Sequence, residues 1–169
     1  MARVAVAVLS ILVAGSLLLA AVRLPEFPNL VLEPLTGANK VELAQFRDRP
    51  VLLNFWASWC GPCRIELPEL EKLSGQLAET GLALLTINVD TNRQAAESYL
   101  RKSGVKVPVY RIASRDLQAL GLTGIPTTIL LDRQGRVVQT YGGYGPGVTA
   151  DIRRLIQRMS EQEASGTGE

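Results

Sequence analysis

The sequence predicts an α/β domain, a sheet covered by helices on both faces, preceded by one membrane-spanning helix. Three observations predict it. Two runs, Val51 to Ala57 and Leu82 to Val89, are apolar almost without interruption, as strands buried on both faces are. Between them Leu67, Leu70, Leu73 and Leu77 recur at spacings of three and four, which is one face of a helix. At the head of the chain, Val4 to Val22 is a run of 19 residues without a charge.

As a helix that first run would span about 28 Å, close to the hydrocarbon thickness of a bilayer. A cleaved signal peptide is the rival reading, but Leu18-Leu19-Ala20 and Leu19-Ala20-Ala21 place leucine where cleavage wants a small residue. A helix apolar all round has no amphipathic reason to sit in a soluble core. Residues 1–24 are therefore expected to be a membrane anchor or uncleaved signal, with the bilayer contacted through residues 4–22. Arg3 and the terminal amine before the span, against Arg23 after it, give a small bias, placing the N-terminus inside and the domain outside the cytoplasm.

Pro25 and Pro28 then read as a short linker. Leu30 to Leu43 has the pattern of a hairpin around the turn-rich Thr36-Gly37-Ala38-Asn39. After Pro50 come the first buried strand, the leucine-faced helix and the second buried strand. Arg93 to Ser103 and Arg115 to Leu120 read as helices. Thr127 to Leu131 and Arg136 to Tyr141 form strands about the turn Asp132-Arg133-Gln134-Gly135. Ile152, Leu155, Ile156 and Met159 mark a closing helix. One domain is expected over 25–163, with 164–169 a disordered tail of small and polar residues.

Composition narrows the chemistry. The 169 residues are 47% hydrophobic and 20% charged, enough apolar material for one real core. There are 18 basic and 16 acidic residues; without Arg3 and Arg23 the rest balances at 16 against 16. No Lys/Arg stripe with interleaved aromatics is present, so nucleic acid is not an expected partner. The absence of histidine removes Ser-His-Asp and Cys-His nucleophiles and His-bearing metal sites. Two cysteines cannot build a four-thiolate site or a multi-bridge scaffold.

Those cysteines form Cys60-Gly61-Pro62-Cys63, directly after a buried strand and directly before a helix. Pro62 suits a first helical turn, which needs no N–H donor and a φ already near helical. Cys60 then lies at a helix N-terminus, where unpaired N–H groups favour an anion and lower a thiol pKa. The functional reading is reversible dithiol–disulfide exchange, with Cys60 attacking and the more buried Cys63 resolving. A structural disulfide remains open, although so short a loop constrains the unfolded chain little. So does half of a zinc knuckle shared between chains. On the first reading no metal or bound cofactor is expected beyond the redox-active Cys60–Cys63 pair.

Asn54-Phe55-Trp56-Ala57-Ser58-Trp59-Cys60-Gly61-Pro62-Cys63 resembles the active-site segment of the thioredoxin superfamily. With Arg64-Ile65-Glu66-Leu67-Pro68 appended, it is most similar to the membrane-anchored TlpA/ResA branch. The likeness extends over nearly all of Phe27 to Arg158 and includes Gly124-Ile125-Pro126-Thr127-Thr128. It implies a thioredoxin-like fold: a central mixed sheet covered by helices, an N-terminal hairpin, and a helical insertion between Asn88-Val89-Asp90 and Val107-Pro108-Val109. It also implies a cis Pro126 facing the cysteines and presenting the backbone of Ile125 to an extended substrate chain.

Where thioredoxins carry a buried aspartate this chain has Asn54, which cannot take a proton. The resemblance points instead to Glu66, one helical turn after Cys63, as acceptor of the Cys63 proton; on residue type alone it reads as an exposed helix glutamate. Trp59 is expected to form an apolar platform beside the exposed Cys60 sulfur, with Gly61 and Pro62 supporting. Trp56 reads as core or rim, and Pro68 as a structural kink. The branch implies reduction of disulfides in exported proteins, such as apocytochrome c before haem attachment or a copper-site assembly protein. Electrons would come from a membrane thiol-relay donor. A general or oxidising periplasmic exchanger, and a redox-inactive membrane-tethered assembly module, are the competing readings.

Overall fold

The computed structural model describes residues 25–35 and 39–166. The expected membrane span, residues 4–22, and the hairpin turn residues Thr36 to Ala38 lie outside them. Among the described residues no helix is long and apolar enough to cross a membrane.

The strands are β1 (Val31–Pro34), β2 (Val41–Glu42), β3 (Val51–Trp56), β4 (Ala83–Asn88), β5 (Val109–Arg111), β6 (Thr127–Leu131) and β7 (Val137–Gly142). The helices are α1 (Gly61–Gln76), α2 (Arg93–Ser103), α3 (Ser114–Ala119) and α4 (Val148–Gly166). One mixed sheet runs in the order β2-β1-β5-β4-β3-β6-β7. β3, β4 and β5 are parallel neighbours, while β6 returns antiparallel beside β3 and β7 antiparallel beside β6. The two most apolar strands, β3 and β4, are thus central, and every residue of β3 is buried.

Alternation along β3 sorts the core into two faces. Leu52 and Trp56 point toward α1, α2 and α4, meeting Leu67, Leu70, Leu73, Ala96, Leu100, Ile152 and Ile156. Val51, Leu53 and Phe55 point the other way, onto Leu30, Leu32 and Leu43, with Leu117 of α3 and Leu120 just after it at the margin. Long helices therefore cover one face, while the N-terminal segment and the short α3 cover the other.

Three features differ from the sequence reading. β5 was not anticipated: three residues behind Pro108 are too few to show a period, yet they join the β1–β2 hairpin to β4. Between Asp90 and Val107 lies the helix α2, as expected for the insertion, and β5 follows it. Pro25 to Phe27 is no free linker, for Val137 donates its N–H to the Pro25 carbonyl and Phe27 its N–H to Gly135, both at 2.9 Å. Finally, α4 continues to Gly166, three residues past the boundary expected at 163.

α1 runs continuously from Gly61 to Gln76 with Pro68 inside it. A proline there leaves the Arg64 carbonyl without its intrahelical donor. The Tyr99 hydroxyl, from α2, lies 3.5 Å from that carbonyl and donates to it.

Candidate active site

β3 ends at Trp56, and four residues later the chain enters α1 with Cys60 as its N-cap (φ −81°, ψ 110°). The Cys63 N–H donates to Cys60 Sγ at 3.2 Å, so the sulfur occupies the place a capping oxygen takes at other helix starts. Pro62 falls in the first turn, as its missing N–H permits. Cys60 and Cys63 are joined in a disulfide with Cα atoms 5.3 Å apart. Cys63 is fully buried and Cys60 only 5% exposed. The order of accessibility is the expected one, but Cys60 shows solvent far less than an exposed sulfur would.

Glu66 follows Cys63 by three residues and points into the protein, with no accessible surface. The register of β3 against β6 sets Asn54 directly opposite Thr128. These two residues receive the carboxyl: Thr128 Oγ1 donates to Glu66 Oε1 at 2.7 Å, and Asn54 Nδ2 to Glu66 Oε2 at 2.8 Å. Asn54 Nδ2 also donates to Thr128 Oγ1 at 2.8 Å. Burial raises the Glu66 pKa above its ordinary value, and the hydrogen bonds from Thr128 and Asn54 pull it partly back. This is a carboxyl held on the buried side of α1, one turn from Cys63, with its affinity for a proton increased. Asn54 and Thr128 as its partners were not foreseen. Their signal was Asn54 inside the otherwise apolar β3 and the threonine pair that opens β6, positions where burial requires that hydrogen bonds be supplied.

The Ile125–Pro126 peptide bond is cis, as expected. The loop is fixed behind it: Gly143 donates its N–H to the Pro126 carbonyl at 2.7 Å, and Thr127 its hydroxyl to Gly124 at 2.7 Å. Ile125 and Gly124 line an open apolar hollow with Trp59, Val89, Leu117 and Leu122. Trp59 forms its rim and is 71% exposed, an unusual place for so large an apolar ring. Trp56, by contrast, is wholly buried and tilts against the Tyr99 ring at 5.5 Å, which makes it a core residue. Val89, Leu117 and Leu122 carry no signal in the sequence that marks them for this hollow.

Such an arrangement suits sulfur chemistry: a thiol at a helix N-terminus, a second thiol within bonding distance, a buried carboxyl beneath and an apolar hollow alongside. The comparison with known families agrees. Residues 22–156 match the family model described as Redoxin, which is most of the chain.

The chain belongs to the redoxin family.

Its relatives place this redoxin more closely. It is 30% identical over 137 residues to the thiol-disulfide oxidoreductase ResA of Halalkalibacterium halodurans, covering 80% of this chain and 76% of that protein. It is 33% identical over 134 residues to ResA of Geobacillus kaustophilus, covering 78% and 75%. Among solved structures, a thiol:disulfide interchange protein of the thioredoxin family from Chlorobium tepidum superposes with a TM-score of 0.69 at 26% identity, over 82% of this chain and 97% of that one. A DsbF homologue from Corynebacterium diphtheriae superposes at 0.68 with 29% identity, over 79% and 85%. This redoxin has the thioredoxin-like fold and is a thiol–disulfide oxidoreductase.

Proposed function

We propose that the redoxin reduces disulfides of selected exported proteins from the outer side of the cytoplasmic membrane, to which residues 4–22 anchor it. In the reduced protein Cys60, as thiolate, attacks a client disulfide, forming a mixed disulfide and releasing one client thiolate. Cys63 then gives its proton to Glu66 and attacks Cys60 Sγ. The Cys60–Cys63 bond closes, the second client thiolate leaves, and two electrons have passed to the client. A membrane thiol-relay donor returns the pair to the dithiol. Trp59 and the apolar hollow receive the client segment, and cis Pro126 presents the Ile125 backbone beside it. Gly61 and Pro62 shape the turn that lets the two sulfurs meet.

The observation that carries this reading is the Glu66 site. A carboxyl enclosed on the buried side of α1, with its pKa raised, is poised to accept a proton from the equally buried Cys63. The uncharged span and the likeness to the TlpA/ResA branch support the location, and the same likeness favours apocytochrome c or a copper-site assembly protein as client.

The test is a mixed-disulfide trap. Cys63→Ser in the native cell removes the resolving thiol, so Cys60 stays covalently joined to its client for mass spectrometry. Recovery of an apocytochrome c or a copper-site assembly protein supports the reading and names the client. A broad set of exported proteins makes this a general exchanger and removes the haem-linked assignment. Wild-type function in cells carrying Cys60→Ser would favour a redox-inactive assembly role.

A further inference from the structure

Asp90 lies two residues beyond the end of β4 and is 2% exposed. A buried carboxylate usually faces a cation, since burying its charge is costly otherwise. The hydrogen-bond donors on its side-chain oxygens here are instead uncharged, and two of the three belong to one residue. Ser58 N–H donates to Oδ2 at 2.9 Å and the Ser58 hydroxyl to Oδ1 at 3.1 Å. Asn88 Nδ2 donates to Oδ2 at 2.7 Å. The backbone of Asp90 is itself fixed, its N–H on Asn88 Oδ1 at 3.1 Å and its carbonyl under the Arg111 guanidinium at 2.7 Å.

Ser58 stands in Ala57–Cys60, the four residues that carry the chain from β3 into α1. That turn has one internal backbone bond, Cys60 N–H to the Ala57 carbonyl, and it is long at 3.2 Å. Its strongest restraint to the rest of the protein besides the disulfide is therefore the pair of bonds from Ser58 to Asp90. We propose that Asp90 is a positioning residue of the exchange reaction: by clamping Ser58 it keeps Cys60 Sγ at the N-terminus of α1 while the Cys60–Cys63 bond is open. The helix end favours a thiolate only within the first turn, so a turn that drifts loses that advantage just when Cys60 must attack.

The acceptor pattern separates position from charge. Oδ2 takes two donors and Oδ1 takes one, from a hydroxyl that can reverse and accept. Asp90→Asn, with its oxygen in the place of Oδ2 and its NH₂ donating to Ser58 Oγ, preserves all three contacts without the charge. Asp90→Ala abolishes them. Loss of charge by itself would favour the Cys60 thiolate, the opposite sign from loss of the clamp. Arg111, whose guanidinium holds the Asp90 carbonyl, and the charged residues of α1 nearest the turn in sequence, Arg64 and Glu66, are unchanged in every variant.

The experiment is the rate of iodoacetamide alkylation of Cys60 against pH, on the full-length chain carrying Cys63→Ser so that one thiol reports, with a thermal melt of each variant. Asp90→Ala is expected to alkylate roughly tenfold more slowly at neutral pH, with the midpoint of its profile moved up. Ser58→Ala, which keeps the N–H bond, is expected to slow about twofold, and Asp90→Asn to return to within about twofold of the parent. Alkylation of Asp90→Ala at the parent rate, with only its melting temperature lowered, overturns the proposal. So does an Asp90→Asn profile displaced as far as that of Asp90→Ala. Should Asp90→Ala not fold, Ser58→Ala decides: a parent-like rate refutes the clamp. The proposal rests on Cys60 as attacking thiol and not on the client, and alkylation involves no client, so its failure leaves the client assignment untouched.

Discussion

Each oxygen of the Glu66 carboxyl accepts one hydrogen bond, from Thr128 and from Asn54, and neither sees solvent. Those two bonds replace only part of the hydration a carboxylate has in water, so burial prevails and the pKa rises above 4.5. The folded chain then binds this proton more tightly than the unfolded chain does. Its contribution to stability is complete below the unfolded value and is lost as pH rises through the folded one. Glu66→Gln cannot ionise. In thermal melts of the oxidised protein, its melting temperature relative to wild type is expected to climb as pH goes from about 4 to about 8. A difference that stays flat would mean that Glu66 does not titrate there. The same substitution removes the proposed acceptor for the Cys63 proton, so release of a client from the mixed disulfide should slow at least about tenfold in single turnovers. The residue type did not reveal this: a glutamate two residues before a helix proline is usually solvent-facing. Its burial depends on the β3–β6 register, which places Asn54 across from Thr128, and on the turn of α1 that aims position 66 at both.

At the scale of the element, α1 begins with a sulfur cap and passes through a proline. The Tyr99 hydroxyl compensates part of what Pro68 removes, at the cost of tying α2 to the second turn of α1. Arg64 lies over the same ring, 5.5 Å from its centroid. Tyr99→Phe is expected to lower stability by about 0.5–1 kcal/mol in denaturant titrations, as fits a long bond near the surface. In a Pro68→Ala background the effect should shrink, because residue 68 then supplies an N–H to the Arg64 carbonyl; an undiminished effect would assign the loss to ring packing instead. The elements with a strong period were legible in the sequence. β3 and β4 read as strands because both their faces are covered, and α2 could be placed from Arg93 to Ser103. β5 was not legible, since three residues carry no period and their partners, β1 and β4, are distant in sequence. α4 reaches Gly166, well beyond Met159, the last residue of the apolar pattern, so that pattern could not mark its end.

For the whole molecule, the face of the sheet away from α1 depends on the chain's own N-terminal segment. Leu30, Leu32 and Leu43 are buried over Leu53 and Phe55, and Leu43 donates its N–H to the Leu30 carbonyl at 2.9 Å. Pro25 and Phe27 meanwhile bond across to Val137 and Gly135, on the opposite side of the sheet's end. The two prolines suggested a spacer, because a sequence shows the stiffness of a linker but not the docking site that long-range folding provides for it. Thermodynamically residues 25–30 are part of the domain. A chain starting at Pro25 should melt with the full-length protein and reduce a small-molecule disulfide at the same rate. A chain starting at Val31 loses the buried Leu30 side chain and the backbone bonds of Pro25, Phe27 and Leu30. It should be destabilised by about 3–5 kcal/mol, roughly 10 °C in melting temperature for a domain of this size. Equal melting of the two would make 25–30 a tether. The expected loss would instead mean that, with residues 4–22 in a bilayer as proposed, the chain passes almost directly from membrane to sheet. Cys60 could then reach only those clients that approach the membrane surface.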